Sequence, residues 1–327
     1  MPPLHINDSD LPPDLYHYTD GGGLLGILES QQLWATHAGF LNDAQEVTYG
    51  QTKVNELLSA LTAKQWALPP ELNDETLWHP NFNSVARWLA GKFLLVAVMA
   101  ATQNTVSFLQ QNIGPFVTCL SGARDQLSQW RGYAGDGGYS IKFDSDAVRQ
   151  SVKSQTPGEQ RKFGDSSELT VELGRRHFVQ MHYTTDEDFI RTGLMDFFRS
   201  LLAHLATDNK DDPSFDRAKF ESVGREIVSQ RMSWILGMIM QTKNPGFAEE
   251  NEYRIITFAE PDRIHASSIG LVPRVDIKFD PSCVKEILVG PGAHQNVRRS
   301  SVEYYRNARP QYSHVEVSAS ETPFRGT

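Results

Sequence analysis

The chain has 327 residues, of which 39% are hydrophobic and 22% are charged, and its net charge at pH 7 is −9. This composition is ordinary for a globular protein and excludes a disordered or fibrous class. The acidic balance argues against strong non-specific binding to a phosphate backbone and favours a small-molecule ligand. Two cysteines are too few for a disulfide framework.

The amino-terminal segment is polar, proline-rich and acidic, unlike a signal or transit peptide. The longest uncharged apolar run, 93–101, is far shorter than the roughly 20 residues that span a membrane, so it predicts a core helix. We therefore expect a cytoplasmic protein with no membrane partner. The histidines form no zinc motif, and no metal site is expected.

In chain order, a predicted strand at 15–18 is followed by a glycine run and a short helix at 24–30. This arrangement can hold an anion at the helix N-terminus, although glycines also simply end strands. Asn42 and Asp43 come next, with Glu46 three residues after Asp43. That spacing is typical of a capping box, so we favour a helix start over a catalytic role.

Segments with helical spacing of apolar residues alternate irregularly with short β-branched and aromatic runs, which predict strands. Without regular βαβ alternation, this order predicts one α+β domain at 15–317, between polar tails at 1–14 and 318–327. We expect a twisted or split, antiparallel-rich sheet with helical insertions at about 52–112 and 189–242.

Two predicted strands, at 116–120 and 139–143, flank a loop with unusual side chains. Trp130, Arg131 and Tyr133 are large and form hydrogen bonds, and the glycine-rich run after them can adopt positive φ. Two interpretations stay open. The loop either binds a ligand, or it is a hairpin-like connection whose tryptophan fills the core.

Glu250, Glu252 and Arg254 occupy alternate positions of a predicted strand at 250–258 and should therefore share one face. Two carboxylates beside an arginine form either an ion-pair ladder or a catalytic carboxylate held by its guanidinium group. The ladder is the commoner of these two arrangements.

Five motifs occur in a fixed order along the chain. They are Phe40-Leu41-Asn42-Asp43 with Glu46, Cys119-Leu120-Ser121, Trp130 with Tyr133-Ala134 and the glycines after them, Glu250-x-Glu252-x-Arg254, and Lys285-Glu286-Ile287-Leu288-Val289-Gly290-Pro291. Together they resemble a large bacterial family that is described mostly as a domain of unknown function. Some of its members lie near abortive-infection and phage-defence genes. The resemblance extends from about Leu15 to Val317.

The opening Tyr16-His17-Tyr18-Thr19, with the helix and strand after it, is more distantly similar to ADP-ribosyltransferase-like proteins. These include RNA 2′-phosphotransferases and DNA-modifying toxins. The resemblance implies that a first-strand histidine holds the ribose of NAD, an aromatic residue stacks on nicotinamide, and a late-strand glutamate promotes glycosidic cleavage. The roles would fall to His17, to Tyr133 or Tyr139, and to Glu252, with Glu250 as its competitor.

We therefore predict an NAD-consuming ADP-ribosyltransferase-like enzyme, a stress or anti-phage effector, with NAD as substrate and an undefined acceptor. The alternatives are a non-catalytic module that senses a nucleotide or a phage component, and a metal-dependent nuclease that uses Asp43, Glu46 and Glu252. The expected catalytic residues are Glu252, Arg254 and Glu250. The expected ligand-binding residues are His17, Tyr18, Thr19, Asn42, Asp43, Trp130, Arg131, Tyr133 and Tyr139.

Overall fold

A computed structural model of the chain describes residues 11–41, 46–63, 68–78, 80–111, 114–134, 137–154, 159–163, 169–183, 188–208, 217–230, 232–267 and 269–323. The described strands are β1 (Asp14–Thr19), β2 (Gln32–His37), β3 (Pro115–Ser121), β4 (Tyr139–Asp144), β5 (Glu159–Phe163), β6 (Leu169–Leu173), β7 (Arg176–Gln180), β8 (His182–Tyr183), β9 (Thr242–Lys243), β10 (Glu252–Phe258), β11 (Arg263–Ser267), β12 (Gly270–Lys278), β13 (Val284–Val289) and β14 (Glu316–Ala319). The described α-helices are α1 (Gly21–Ser30), α2 (Glu46–Ala63), α3 (Ser84–Gln111), α4 (Leu127–Tyr133), α5 (Ser145–Lys153), α6 (Asp188–Asp208), α7 (Arg217–Gln230), α8 (Met232–Gln241) and α9 (Gln295–Asn307).

The fold is mixed α and β, and its main sheet is open and mostly antiparallel, as predicted. Ten strands form this sheet in the order β11-β12-β2-β3-β1-β4-β13-β14, with β10 added to β3 and β7 added to β10. β13 and β14 are parallel, whereas the other described pairs of this sheet are antiparallel.

The main sheet splits beside β3. One edge of β3 pairs with β10 along its whole length. On the other edge, Phe116 pairs with His37 of β2, whereas Ser121 pairs with Tyr16 of β1. Between these two partners, the His17 ring forms a hydrogen bond with the β3 backbone. Its Nδ1 lies 2.9 Å from the carbonyl oxygen of Cys119. This local gap in the strand ladder leaves room for a cavity.

Helices cover both faces of the sheet around β3 and β10. On one face, α2, α3, α6, α7 and α8 form a hydrophobic core with Val117 and Ile256. On the other face, α1, α5 and α9 pack with Phe116 and Ile255. β10 is therefore buried along its entire length, and polar side chains on it need partners inside the protein. The predicted helical insertions lie together on the first face.

Helix α3 contains one stretch, Ser84–Gln103, that is long and apolar enough to cross a membrane by length and composition. The sequence predicted a core helix at this position from its shorter uncharged run. About a third of the stretch, 33%, is buried within the protein, where α3 packs against α2, α7 and α8. One such helix is weak support for a membrane span, because core helices can have the same composition.

Two local predictions differ from the structure. The glycines after β1 begin α1 instead of ending a strand, and Asp20 caps this helix by accepting the Gly23 N–H at 2.7 Å. A carboxylate therefore already occupies the helix N-terminus where an anion was considered. At the other end, β14 extends to Ala319, beyond the predicted domain boundary at Val317, because its backbone continues to pair with β13.

Candidate functional site

Two carboxylates and two cations form a cluster beside the start of β10. Lys243 Nζ lies 2.5 Å from Glu250 Oε2 and 2.6 Å from Glu252 Oε2. Arg254 donates from Nε to Glu252 Oε1 at 2.6 Å and from Nη2 to Glu252 Oε2 at 3.0 Å. The side chains of Lys243, Arg254 and Glu252 are only 2%, 2% and 4% exposed. The arrangement is thus a buried charge network.

Three different backbone elements supply this network. Glu252 and Arg254 are two residues apart on β10 and therefore share one face, as predicted. Lys243 ends β9, directly after α8. Glu250 was predicted to begin the strand, but it ends a short 3₁₀ helix. Asn251 then adopts a left-handed conformation with φ 43°, which turns the chain into β10.

The network keeps Glu252 ionised. Burial alone would raise the pKa of Glu252, but the Arg254 guanidinium and the Lys243 ammonium outweigh that effect and lower the pKa to about 2. A hydrogen bond from the thiol of Cys119 also lowers the pKa of this carboxylate. The Glu252 N–H donates to Tyr183 Oη at 2.7 Å, and burial raises the pKa of Tyr183 to about 12.

A cavity of about 50 Å³ lies beside the network, at the split in the sheet. Its lining comes from β1, β3, α4 and the carboxylate pair, and consists of Tyr16, His17, Tyr18, Cys119, Leu120, Ser121, Gln129, Tyr133, Glu250 and Glu252. Such a volume holds roughly three or four water-sized groups. A dinucleotide would therefore place one small fragment inside and the remainder outside.

A larger concave space than this cavity lies elsewhere in the described part of the protein. An open depression of about 540 Å³ is bordered by residues that include Gln31, Ser151, Lys278 and Asp280. Its described lining contains none of the predicted site residues. We place the candidate site at the smaller cavity because the two carboxylates, the histidine and the partly exposed tyrosine meet there.

His17 and Tyr133 present two different surfaces to the cavity. Burial lowers the pKa of His17, and its Nδ1 donates to the Cys119 carbonyl. The neutral ring then keeps Nε2 as a hydrogen-bond acceptor. Tyr133 Oη donates to Glu250 Oε1 at 3.3 Å, and 36% of this residue is exposed. The cavity is thus bordered by an imidazole acceptor and by an aromatic ring that reaches solvent.

Trp130 fits the second interpretation of the segment before the glycine run, in which the tryptophan fills the core. Trp130 is 2% exposed, contacts Tyr18 edge-on at 4.7 Å, and donates from Nε1 to Asp125 Oδ1 at 2.7 Å. It fills the core beneath α4. Tyr133 and the buried Gln129, in contrast, line the cavity. Their spacing of four residues places them on one helix face.

Gln129 was missed because the segment was predicted to be a loop. Once α4 is known to be a helix, the position of Gln129 four residues before Tyr133 is the signal that would have identified it. Tyr18 also lines the cavity, but its Oη already donates to the Ala123 carbonyl at 2.7 Å and accepts from the Gln126 N–H at 3.2 Å.

Several predicted ligand residues lie away from the cavity. Thr19 ends β1, and Tyr139 packs beside the first residue of α1. Arg131 is exposed on α4. The end of the glycine run is hydrogen-bonded to the residue that follows β13, because the Gly138 carbonyl accepts the Gly290 N–H at 2.8 Å. Tyr133 is therefore the aromatic candidate at the cavity.

The residues of the nuclease hypothesis are only partly described. Asn42 and Asp43, and the side chain of Glu46, lie outside the described residues. In the described part of the chain, no group of three or more His, Cys, Asp or Glu side chains could hold a metal ion. At the cavity, the Lys243 ammonium lies between the two carboxylates, where a shared divalent ion would bind.

A comparison with known protein families finds a match that covers part of this site. Residues 129–255 match the model of a family described as "Protein of unknown function (DUF2971)". This match supports assignment to a family of unknown function. The matched segment contains Gln129, Tyr133, Lys243 and both carboxylates, whereas His17 and Cys119 precede it. No curated protein and no solved structure matches the chain.

Proposed function

We propose that the chain is an NAD-consuming ADP-ribosyltransferase-like enzyme. The observation that carries this proposal is the buried, ionised Glu252, which lines a small cavity together with Glu250, His17 and the partly exposed Tyr133. A fixed negative charge in a partly buried site is suited to a reaction whose transition state is cationic. The role of stress or anti-phage effector belongs to the same proposal.

The proposed reaction breaks the glycosidic bond of NAD. The bonding electron pair leaves with nicotinamide, which becomes neutral, and positive charge develops on the ribose. A nucleophile, either water or an acceptor group, then bonds to the anomeric carbon and loses a proton. Negative charge held close to the ribose stabilises this transition state more than the ground state, and this difference produces the rate enhancement.

The two carboxylates would divide this task. Glu252 accepts from Arg254 and Lys243 and is only 4% exposed, so it supplies a fixed charge. The side chain of Glu250 is 14% exposed and holds Tyr133 through a long bond of 3.3 Å, which a ribose hydroxyl could replace. We therefore assign the ribose contact to Glu250. Nicotinamide would lie against the ring of Tyr133.

A second candidate function is a non-catalytic module that senses a nucleotide. The cavity of about 50 Å³ admits only a fragment of a ligand, and both oxygens of Glu252 already accept hydrogen bonds. Such a site could bind a nucleotide through the same contacts without breaking a bond. Binding and bond cleavage must therefore be measured separately.

The test is to incubate the purified protein with NAD and to measure nicotinamide release and NAD affinity. Removing one preorganised electrostatic group typically lowers the rate by about 10²–10³-fold. We expect a loss of this size for Glu250→Gln, with NAD affinity little changed. The control is Glu249→Gln at the exposed neighbouring position, which should release nicotinamide at the wild-type rate. Wild-type protein that binds NAD without releasing nicotinamide would favour the sensing module, and protein that does neither would contradict the enzymatic function and NAD as the sensed nucleotide.

A further inference from the structure

Gln129 is a buried polar residue whose side chain has no partner among the described residues. It is 6% exposed, it lies on α4, and it lines the cavity. Its neighbours on this helix are bonded, because Trp130 donates to Asp125 and Tyr133 donates to Glu250. Amide groups inside proteins are almost always hydrogen-bonded, so an unpaired amide that lines a cavity indicates a ligand. The Gln129 carboxamide is thus available to a ligand in the cavity.

The charges around the cavity disfavour an anionic ligand group. Glu250 and Glu252 line the cavity, whereas Lys243 and Arg254, which form ion pairs with them, are not among its described lining residues. His17 adds no charge near neutral pH because burial lowers its pKa. A phosphate or carboxylate would meet two carboxylates here, and like charges at this range repel strongly. The group inside the cavity should therefore be polar and should carry no negative charge.

The size of the cavity and the side chains of Gln129 and Tyr133 limit further which ligand group can bind. A volume of about 50 Å³ holds one small group. A glutamine side chain offers both an acceptor and donors, so it can form two antiparallel N–H···O=C bonds with another primary amide. Tyr133 lies one helical turn beyond Gln129, so an aromatic ring that bears the amide would reach the tyrosine while its amide reaches the glutamine.

We infer that Gln129 is a specificity-determining residue that recognises a primary carboxamide on an aromatic ring, the group that nicotinamide carries in NAD. This inference rests on the proposed function, since it names the part of NAD that enters the cavity. It assigns discrimination between a pyridine carboxamide and a pyridine carboxylate to one side chain. The carboxylate would be repelled by Glu250 and Glu252 and could form only one of the two bonds to Gln129.

The test compares equilibrium binding of NAD and of its nicotinic acid analogue by calorimetry. We expect wild-type protein to bind NAD roughly 10- to 100-fold more tightly than the analogue. The carboxamide of NAD forms two hydrogen bonds with Gln129, whereas the carboxylate of the analogue forms one and is repelled by Glu250 and Glu252. Gln129→Met keeps an unbranched side chain of similar length but removes the hydrogen bonds, and should reduce the preference to less than about threefold. The matched control is Gln150→Met at an exposed position of α5, which should keep the full preference.

A second variant, Gln129→Asn, keeps the amide but withdraws it by one methylene, and we expect it to show a preference between those of the wild type and Gln129→Met. Melting temperatures measured in parallel identify any variant that fails to fold. Equal wild-type affinity for the two dinucleotides, no binding of either, or an undiminished preference in folded Gln129→Met would each overturn the inference. A preference for NAD over its analogue without nicotinamide release would support this role of Gln129 and contradict the enzymatic function. Nicotinamide release without such a preference would support the enzymatic function and contradict this role of Gln129.

Discussion

Lys243 balances the charge of the cavity, because its ammonium bonds both Glu250 and Glu252. Charges this deeply buried are costly to remove from water, and mutual attraction offsets the cost only when every member keeps its partners. Arg254 completes the pairing on the far side of Glu252. The network is therefore sensitive to the loss of any single member, and the two glutamates should differ in how sensitive they are.

We expect Glu252→Gln to reduce the free energy of unfolding by about 3–5 kcal/mol, because it leaves Arg254 and Lys243 buried with one carboxylate between them. Glu250→Gln should cost only about 1–2 kcal/mol, since the Glu250 side chain is 14% exposed and Lys243 keeps Glu252. Urea denaturation of both variants measures the difference. Equal losses would show that Glu250 and Glu252 contribute equally to the network.

At the scale of elements, α4 is held in place by the segment that follows β14. Asp125, just before α4, accepts Trp130 Nε1 at 2.7 Å, Ser320 Oγ at 2.6 Å and the Glu321 N–H at 3.0 Å. Burial would raise the pKa of Asp125, but these hydrogen bonds outweigh it and lower the pKa. The carboxylate thus joins the C-terminal segment to the helix that carries Gln129.

We expect Asp125→Ala to lower the free energy of unfolding by about 3 kcal/mol, because hydrogen bonds to a charged group contribute about 1.5–3 kcal/mol each and do not add fully. The control is Asp146→Ala on α5, whose exposed ion pair with Arg149 should contribute less than about 1 kcal/mol. Chemical denaturation compares the two. A loss at Asp125 no larger than that at Asp146 would show that α4 does not depend on this connection.

Local sequence was sufficient to predict the strands around the site. The runs at 15–18, 116–120 and 139–143 are short and rich in β-branched or aromatic residues, and each lies within an observed strand. The seven-residue α4 was not predicted, because it contains Gly132 and has too few residues to show a helical period.

The missing parts of the site depend on tertiary structure. Strand alternation correctly placed Glu252 and Arg254 on one face, but it also extended the strand to Glu250, where Asn251 turns the chain. Lys243 has no local signal, since the end of β9 meets the carboxylates only in the folded chain. Residue types therefore indicated the chemistry, whereas the partner that neutralises it could not be read from spacing.

At the scale of the whole molecule, the cavity depends on contacts between distant parts of the chain. β1 supplies His17, β3 supplies Cys119, α4 supplies Tyr133, and the segment entering β10 supplies Glu250. These residues meet because β3 exchanges one neighbouring strand for another along its edge. Ligand binding at this site should therefore be lost together with the global fold, and conditions that weaken the fold determine where the site can function.

Two buried titratable groups, Glu252 and His17, make the stability of the fold decrease at acidic pH. The pKa of Glu252 is about 2 in the fold against an ordinary value of 4.5, so its contribution to stability is complete above pH 4.5 and is lost as the pH falls toward 2. The pKa of His17 is lowered by burial from 6.5, so protonation below pH 6.5 also favours the unfolded chain. Protonation of either group therefore reduces the stability of the fold as the pH falls.

We therefore expect the stability of the wild type to decrease steadily from neutral to acidic pH, and the Glu252 part of this decrease can be isolated with Glu252→Gln. A shift from 4.5 to about 2 corresponds to a contribution on the order of 3 kcal/mol. The difference in unfolding free energy between the wild type and this variant should be constant above pH 5 and should shrink by about that amount as the pH approaches 2. Urea denaturation at pH 7, 5, 4 and 3 measures it, with Glu249→Gln as the exposed control. If the difference does not change below pH 4.5, Glu252 does not titrate with a lowered pKa, and the fixed negative charge assigned to the cavity is absent.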